Sequence, residues 1–173
     1  MTTRLTHRSH LLGIAAVAGS LALVWTHPAL AQSMSTVAAD TVVATECSVA
    51  VSPLAFGVYD PVVANASAVL DGTATVTLTC TKGAVASVGL DRGLHTSGTT
   101  RRLRSGTGDH LTYELHQDAT RMMAWGDDLM SMLTLGAATS MAPRHLTVHG
   151  RVAGGQDVSG GTYTDSITAT VNF

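Results

Sequence analysis

The chain has 173 residues, with 10 basic and 12 acidic side chains and a formal net charge of −2. This mild negative balance excludes a protein built to bind nucleic acid, because such binding depends on an excess of lysine and arginine. Only 13% of the residues are charged and 45% are hydrophobic, and the recurrent threonine, valine, serine, alanine and glycine favour extended β-structure.

The N-terminus predicts export. Arg4 and Arg8 precede an uncharged, apolar run over 11–25, and the small-residue sequence PALA follows before Gln32. A transmembrane helix needs about 20 apolar residues, so this shorter run with a cleavage-type sequence is typical of a signal peptide. We therefore predict a signal peptide over 1–31 and a single domain in the rest of the chain.

Two cysteines follow the predicted signal peptide, Cys47 and Cys80. In an exported protein an isolated pair is most simply a disulfide. Closing the loop between them stabilises the fold by roughly 3 to 4 kcal/mol in the chain-entropy model. Neither residue belongs to a Cys-x-x-Cys pair, so a redox or metal-binding role is the weaker interpretation.

Residues 32–46 are predicted to form an extended arm, because they contain no aromatic residue and no turn signal. The alternation of apolar and polar residues is imperfect here, so the pattern assigns no buried face. A flexible N-terminus of an exported protein is the alternative interpretation.

From Cys47 onward, short alternating segments are separated by turn residues. Predicted strands cover 47–51, 54–59, 73–80, 85–90, 111–117 and 145–153. The polar, glycine-rich stretch that contains Arg101, Arg102 and Arg104 is predicted to be a solvated loop. No segment predicts a helix, and a succession of short strands indicates a β-sandwich.

The last segment, 161–173, predicts a half-buried β-strand. Its apolar face alternates with threonine, serine and asparagine and consists of Tyr163, Ile167, Ala169, Val171 and Phe173. Asp165 shares this face, where a carboxylate costs free energy unless it lies at the rim or accepts hydrogen bonds. We expect the outer edge of this strand to lack a partner, because no sequence follows to form a hairpin with it.

Residues capable of catalysis or metal binding form no recognisable site. His145 and His149 are four residues apart, which on a strand places them roughly 13 Å from each other, too far to share a metal ion. We predict that these two histidines face solvent, and we predict the same for His95, His110 and His116. Serine, histidine and aspartate are present without a nucleophile elbow, and the sequence Asn65–Ser67 fits a glycosylation sequon that is common by chance. We therefore expect no enzymatic activity, no cofactor and no metal.

A set of motifs in order along the chain resembles the spore coat protein U domain family: Cys47 with Cys80, Phe56-Gly57-x-Tyr59, Trp125-Gly126 and Gly161-x-Tyr163-x-Asp165. The resemblance covers almost all of 47–173. This family includes pilin subunits of archaic, Csu-like chaperone–usher pili. The sequence LMSMLTL after Trp125 departs from the Gly/Thr-rich loop that is common in the family.

The resemblance implies an all-β, incomplete immunoglobulin-like sandwich that lacks its last strand and is completed by donor-strand complementation. The implied partners are a periplasmic chaperone, an outer-membrane usher and neighbouring pilin subunits. The last segment would border the vacant position. The arm is the candidate donor strand, formed by Ser33, Met34, Ser35, Thr36, Val37, Ala38, Ala39, Asp40, Thr41, Val42, Val43 and Ala44.

The resemblance thus predicts a structural subunit of a surface pilus, exported through the periplasm and used for adhesion and biofilm formation. A single domain with an arm favours a shaft or adaptor subunit over a two-domain tip adhesin. Two alternatives remain open: a spore or cell-surface coat protein of the same fold, and a soluble secreted module whose Arg101, Arg102 and Arg104 hold an acidic glycan.

Overall fold

The computed structural model describes residues 32–173, so the predicted signal peptide lies outside the described residues. Within this range the chain forms strands and no helix, and thus no helix long and apolar enough to span a membrane. All of the strands belong to the compact unit Thr41–Phe173. They are β1 (Cys47–Val51), β2 (Leu70–Cys80), β3 (Ala86–Leu90), β4 (Arg101–Ser105), β5 (His110–His116), β6 (Leu133–Leu135), β7 (Arg144–Val152), β8 (Tyr163–Thr164) and β9 (Ala169–Asn172).

The strands form two antiparallel sheets. The larger sheet has the order β1-β2-β7-β5-β4-β8, and the smaller has the order β6-β3-β9. Strand β2 is the longest, with 11 residues, and it pairs with β1 on one side and β7 on the other. The chain therefore changes sheets repeatedly, as expected when two sheets enclose one core.

The core lies between the alternating inward faces of these sheets. Val76 and Leu78 of β2 and Val88 of β3 are 0% exposed, and the predicted inward residues of β5 are buried as well. Trp125 is also 0% exposed and donates its indole N–H to the carbonyl oxygen of Val88 at 2.8 Å. The period-two pattern of the sequence therefore identified the buried faces of β2, β5 and β7 correctly.

The predicted strand over 54–59 is wrong. This segment has no ladder partner among the described strands, although Leu54, Phe56 and Tyr59 are half-buried. Alternation alone predicts which side chains turn inward, but a strand also needs a neighbouring backbone to hydrogen-bond with.

The predicted arginine loop is also wrong, because Arg101–Ser105 is strand β4. Arg101 is only 9% exposed and reaches into the core with its guanidinium. Arg102 donates its Nε–H to the carbonyl oxygen of His95 at 3.0 Å, while Arg104 is exposed. Arg101 points to one face of the strand, whereas Arg102 and Arg104 point to the other, so the three arginines do not form one site.

The final segment keeps its predicted alternation but is two strands, not one. Strand β8 pairs with β4 in the larger sheet, whereas β9 pairs with β3 in the smaller sheet. The chain crosses between the sheets over 165–168. Tyr163 lies at the start of this crossover and donates its hydroxyl to the carbonyl oxygen of Ser159 at 2.8 Å, which is the geometry of a tyrosine corner.

Two polar residues are less accessible than the sequence predicts. His116 was expected to face solvent, yet it is only 6% exposed, since a loop over 117–124 returns beside it. Asn65 is 5% exposed, and its side-chain amide donates to Ala68 O at 3.1 Å. This use of the amide argues against the sequon as a glycosylation site.

Candidate functional site: an open groove beside the last strand

Strand β9 is an edge strand of the smaller sheet. On one side it pairs with β3, from Ala169 opposite Leu90 to Asn172 opposite Ser87. Within 32–173 no strand pairs with its other side. An edge of this kind presents backbone N–H and C=O groups that a strand from another chain can bind.

The residues predicted to form the acceptor face lie along this edge in different settings. Tyr163 belongs to β8, Ile167 to the crossover, and Ala169 and Val171 to β9. These four residues are half-buried, and Phe173 is 56% exposed. The apolar face of the last segment is therefore only partly covered by the core.

Strand β1 borders the same opening. Val49 and Val51 pair directly with Leu78 and Val76 of β2, and directly paired residues point to the same face of a sheet. Their partners are 0% exposed, yet Val49 is 39% exposed and Val51 is 51% exposed. The core is thus uncovered on the inner side of β1.

Two hollows are lined in part by residues of the core, and the first of them also by residues of β1 and β9. One, of about 220 Å³, is lined by residues that include Val51, Ile167 and Ala169. The other, of about 540 Å³, extends along 57–61 and 158–163. Both hollows are bounded by the side chains of Leu54, Phe56 and Leu103, and we call the two together the groove.

A pair of glycines shapes the floor of the groove. Gly72 of β2 lies directly opposite Gly150 of β7, and a Cβ atom at Gly150 would stand 2.8 Å from the ring of Phe56. The ring also packs edge-on against Tyr113, with ring centroids 5.8 Å apart. Glycine inside two strands signals a close approach of this kind, so the sequence carried a clue to the floor that periodicity did not.

A buried carboxylate lies at one end of the groove. The side chain of Asp165 is 2% exposed and accepts hydrogen bonds from the hydroxyl of Tyr113 at 2.8 Å and from the backbone N–H of His95 at 3.1 Å. Burial and the hydrogen bond to Asp165 raise the pKa of Tyr113 far above its usual value, so this tyrosine stays a neutral donor.

The predicted donor arm has no secondary structure. Every residue of 32–46 is exposed, and the apolar side chains are among the most exposed, with Met34 at 90%, Val37 at 92% and Val42 at 94%. A row of exposed apolar side chains is typical of a segment that binds a partner.

The arm leaves the domain at a fixed point. Cys47 and Cys80 form the predicted disulfide. Next to it, Thr81 donates its backbone N–H to Glu46 O at 2.8 Å, and its hydroxyl accepts from Glu46 N–H at 3.0 Å and donates to Ala44 O at 3.2 Å. The last residues of the arm are therefore tied to the end of β2.

The histidines offer no metal site in the described part of the chain. No group of three or more histidine, cysteine or acidic side chains is placed to hold a metal ion there. His145 lies exposed on β7, and its Nδ1 is 3.2 Å from the hydroxyl of Thr77. The groove, lined by apolar side chains and bordered by an open strand edge, is suited to binding an extended peptide.

Comparison with known proteins agrees with the expected family. The sequence profile described as "Spore Coat Protein U domain" matches residues 33–170. "Protein U" of Myxococcus xanthus is 38% identical over 132 residues, which are 69% of this chain and 71% of that protein.

The fold is similar to a chain in the crystal structure of the CsuC–CsuE chaperone–tip adhesion subunit pre-assembly complex from archaic chaperone-usher Csu pili of Acinetobacter baumannii. The TM-score is 0.57 with 20% sequence identity, over 76% of this chain and 40% of that chain. This likeness concerns the fold, and the chain spans less than half of that structure's length. The predicted fold class, an all-β immunoglobulin-like sandwich, is confirmed.

Proposed function

Because this chain belongs to the Spore Coat Protein U domain family, we propose that it is a structural subunit of a surface fibre of the archaic chaperone–usher type. In this proposal each subunit receives the arm of a neighbour in its groove, and the fibre grows by donor-strand exchange. The observation that carries the proposal is the unpaired edge of β9 beside an uncovered apolar core.

The two halves of the proposed exchange complement each other. In the groove, the free edge of β9 has no backbone hydrogen-bond partner within 32–173. The side chains of Val51 and Ile167 line the hollow and are only partly covered by other apolar side chains. The arm over 33–44 supplies both a backbone partner and apolar cover, because it is extended, exposed and contains valine, methionine and alanine side chains. A strand in the groove would bury several of these side chains at about 1.5 to 3 kcal/mol each.

The proposal requires partners outside this chain. An empty groove exposes apolar surface and an open strand edge, which promotes aggregation. A periplasmic chaperone would cover it first, an outer-membrane usher would secrete the subunit, and neighbouring pilin subunits would then replace the chaperone. The fibre would stand on the cell surface and serve adhesion and biofilm formation, with residues 1–31 removed as the signal peptide.

Self-complementation tests this function directly. Residues 33–44 are fused after Phe173 through a short flexible linker, so that the arm sequence can fill the groove of its own domain. We expect a soluble monomer with a raised melting temperature, measured by size-exclusion chromatography and thermal unfolding. The matched control carries Val37→Asp and Val42→Asp in the fused copy. Equal melting temperatures for the two fusions would contradict donor-strand binding.

A coat protein of the same fold is the second candidate. It is favoured by the family description and by the 38% identity to Protein U. Electron microscopy of cells that produce the protein separates the two functions, because a pilus subunit forms thin fibres and a coat protein forms a continuous layer. Deletion of neighbouring chaperone and usher genes should abolish the fibres of a pilus subunit but leave the layer of a coat protein in place. The glycan-binding alternative has one arginine fewer, since Arg101 is buried inside the domain while Arg102 and Arg104 share the other face of β4.

A further inference from the structure

The crossover over 165–168 leads directly into β9 and therefore sets the position of its free edge. It joins β8 of the larger sheet to β9 of the smaller sheet, and it lies in the border of the groove through Asp165 and Ile167. Strand β9 has only four residues and pairs on one side, so its own ladder gives it little rigidity. Short, singly paired edges open easily in the native state.

The Asp165 carboxylate fastens the start of this crossover. One oxygen accepts from the hydroxyl of Tyr113 on β5 at 2.8 Å. The other accepts from both the backbone N–H and the imidazole Nδ1 of His95, each at 3.1 Å. Three donors from two separate parts of the chain therefore converge on one side chain that is 2% exposed.

A second carboxylate fastens the other end. Asp91 accepts from the backbone N–H of Thr168 at 2.9 Å and from the N–H of Gly93 at 2.9 Å. The backbone N–H of Asp91 in turn donates to Thr168 O at 3.0 Å. Asp91 directly follows β3, the ladder partner of β9, so this contact anchors β9 to its neighbour at the point where the ladder begins.

The loop between the two carboxylates is shaped to admit them. Gly93 has a φ of +80°, and a Cβ atom there would collide with the carboxylate of Asp165. Leu94 adds a further hydrogen bond from its N–H to Ser166 O at 3.1 Å. The loop over 91–95 and the crossover therefore form one hydrogen-bonded unit at the end of the groove.

We propose that Asp165, assisted by Asp91, is a positioning residue that holds the free edge of β9 in its binding geometry before a partner strand arrives. The inference rests on the proposed function, because it concerns how the groove receives a donor strand. A site that is already ordered avoids the entropy of ordering on binding. When the competent arrangement is only partly populated, the apparent affinity falls by that fraction.

The test uses Asp165→Asn in the full exported chain. Asparagine keeps the size of the side chain but loses the charge and one of the two acceptor oxygens. An NH2 group that faces His95 meets another N–H donor, and one that faces Tyr113 forces the hydroxyl to change from donor to acceptor. The matched control is Asp71→Asn, which removes a carboxylate bonded to Arg151 at 2.8 and 2.9 Å on the outer face, away from the groove. Circular dichroism verifies that each protein is folded.

Association with a fluorescent peptide of residues 33–44 is measured by anisotropy in stopped flow. We expect Asp165→Asn to slow association about tenfold with little change in the dissociation rate, because the carboxylate is already saturated with internal donors. Asp71→Asn should associate like the wild type. A wild-type association rate in Asp165→Asn, or equal slowing in both variants, would overturn the inference.

Hydrogen exchange provides a readout that does not depend on the peptide. The amides of Ile167–Asn172 should exchange at least several-fold faster in Asp165→Asn than in Asp71→Asn, while the amides of β2 stay protected in both. If the wild type binds no peptide, the proposed donor strand fails, but the exchange result still decides the role of Asp165. Unchanged exchange over 167–172 would overturn that role.

Discussion

At the scale of single residues, a buried arginine connects the two sheets. Arg101 donates its Nε–H to Asp91 O at 2.8 Å and its Nη2 hydrogens to Leu90 O and Trp125 O, each at 2.7 Å. Burial lowers the pKa of Arg101, but a guanidinium stays charged in proteins. The side chain thus binds two carbonyl groups at the end of β3 and the carbonyl group of Trp125 in the segment between β5 and β6.

Replacing this arginine should destabilise the domain strongly. We expect Arg101→Met to reduce the free energy of unfolding by about 3 kcal/mol or more, because buried carbonyl groups lose their donors. Arg104→Met on the same strand is the matched control and should change it by no more than about 0.5 kcal/mol, since Arg104 is exposed. Urea denaturation measures both, and equal losses would contradict the role assigned to Arg101.

His116 makes stability depend on pH. Burial lowers the pKa of His116, and the nearby Glu114 and Asp118 only partly oppose this effect. Its neutral form is therefore favoured in the folded state, and folding stability should fall as the pH drops below about 6.5, the value for an unfolded histidine. His116→Leu should lose less stability than the wild type between pH 7 and pH 5 in urea denaturation. A pH-independent difference between the two proteins would contradict this.

At the scale of elements, β1 is the most exposed strand of the larger sheet. It lies at the edge, and four of its five residues are exposed. Its first residue is joined to β2 by the disulfide between Cys47 and Cys80. The covalent bond, together with the hydrogen bonds of Thr81, therefore compensates for the small apolar area that β1 buries while the groove is open.

Removing the disulfide should destabilise the domain measurably. We expect the double variant Cys47→Ser, Cys80→Ser to lose roughly 3 to 4 kcal/mol in the free energy of unfolding, because the unfolded chain regains the entropy of an open loop. Denaturant titration with and without reductant measures this. Reductant should lower the stability of the wild type to that of the variant and leave the variant unchanged. Reductant-insensitive stability in the wild type would contradict the prediction.

At the scale of the whole molecule, the groove is bordered by elements from opposite ends of the sequence. Strand β1 covers 47–51 and β9 covers 169–172, so their apolar sides meet only after the sandwich has formed. The arm precedes β1 and is exposed along its full described length. A domain with an open groove and an exposed apolar arm suits repeated head-to-tail association, in which the contact does not close on itself.

Deleting the arm tests this mode of association. A chain without Ser33–Ala44 should still fold with its chaperone, because the core begins at Cys47, but it should not enter the groove of a neighbour. We expect no polymers on native gels. An equal-length replacement of the arm by glycine and serine serves as the control for chain length and should also fail to polymerise. Polymers of normal length from either variant would contradict donor-strand assembly.

The sequence by itself determined the family, the all-β class, the cysteine pairing and the inward faces of β2, β5 and β7. These features depend on local periodicity and on motifs such as Phe56-Gly57-x-Tyr59, which can be recognised in the sequence without knowledge of the fold. Only the tertiary structure decided that 54–59 has no ladder partner, that the last segment divides between two sheets, and that Arg101 and Asp165 are buried. The physical reason is that strand pairing and polar burial depend on contacts between residues far apart in the chain, such as Asp165 with Tyr113, which alternation does not encode.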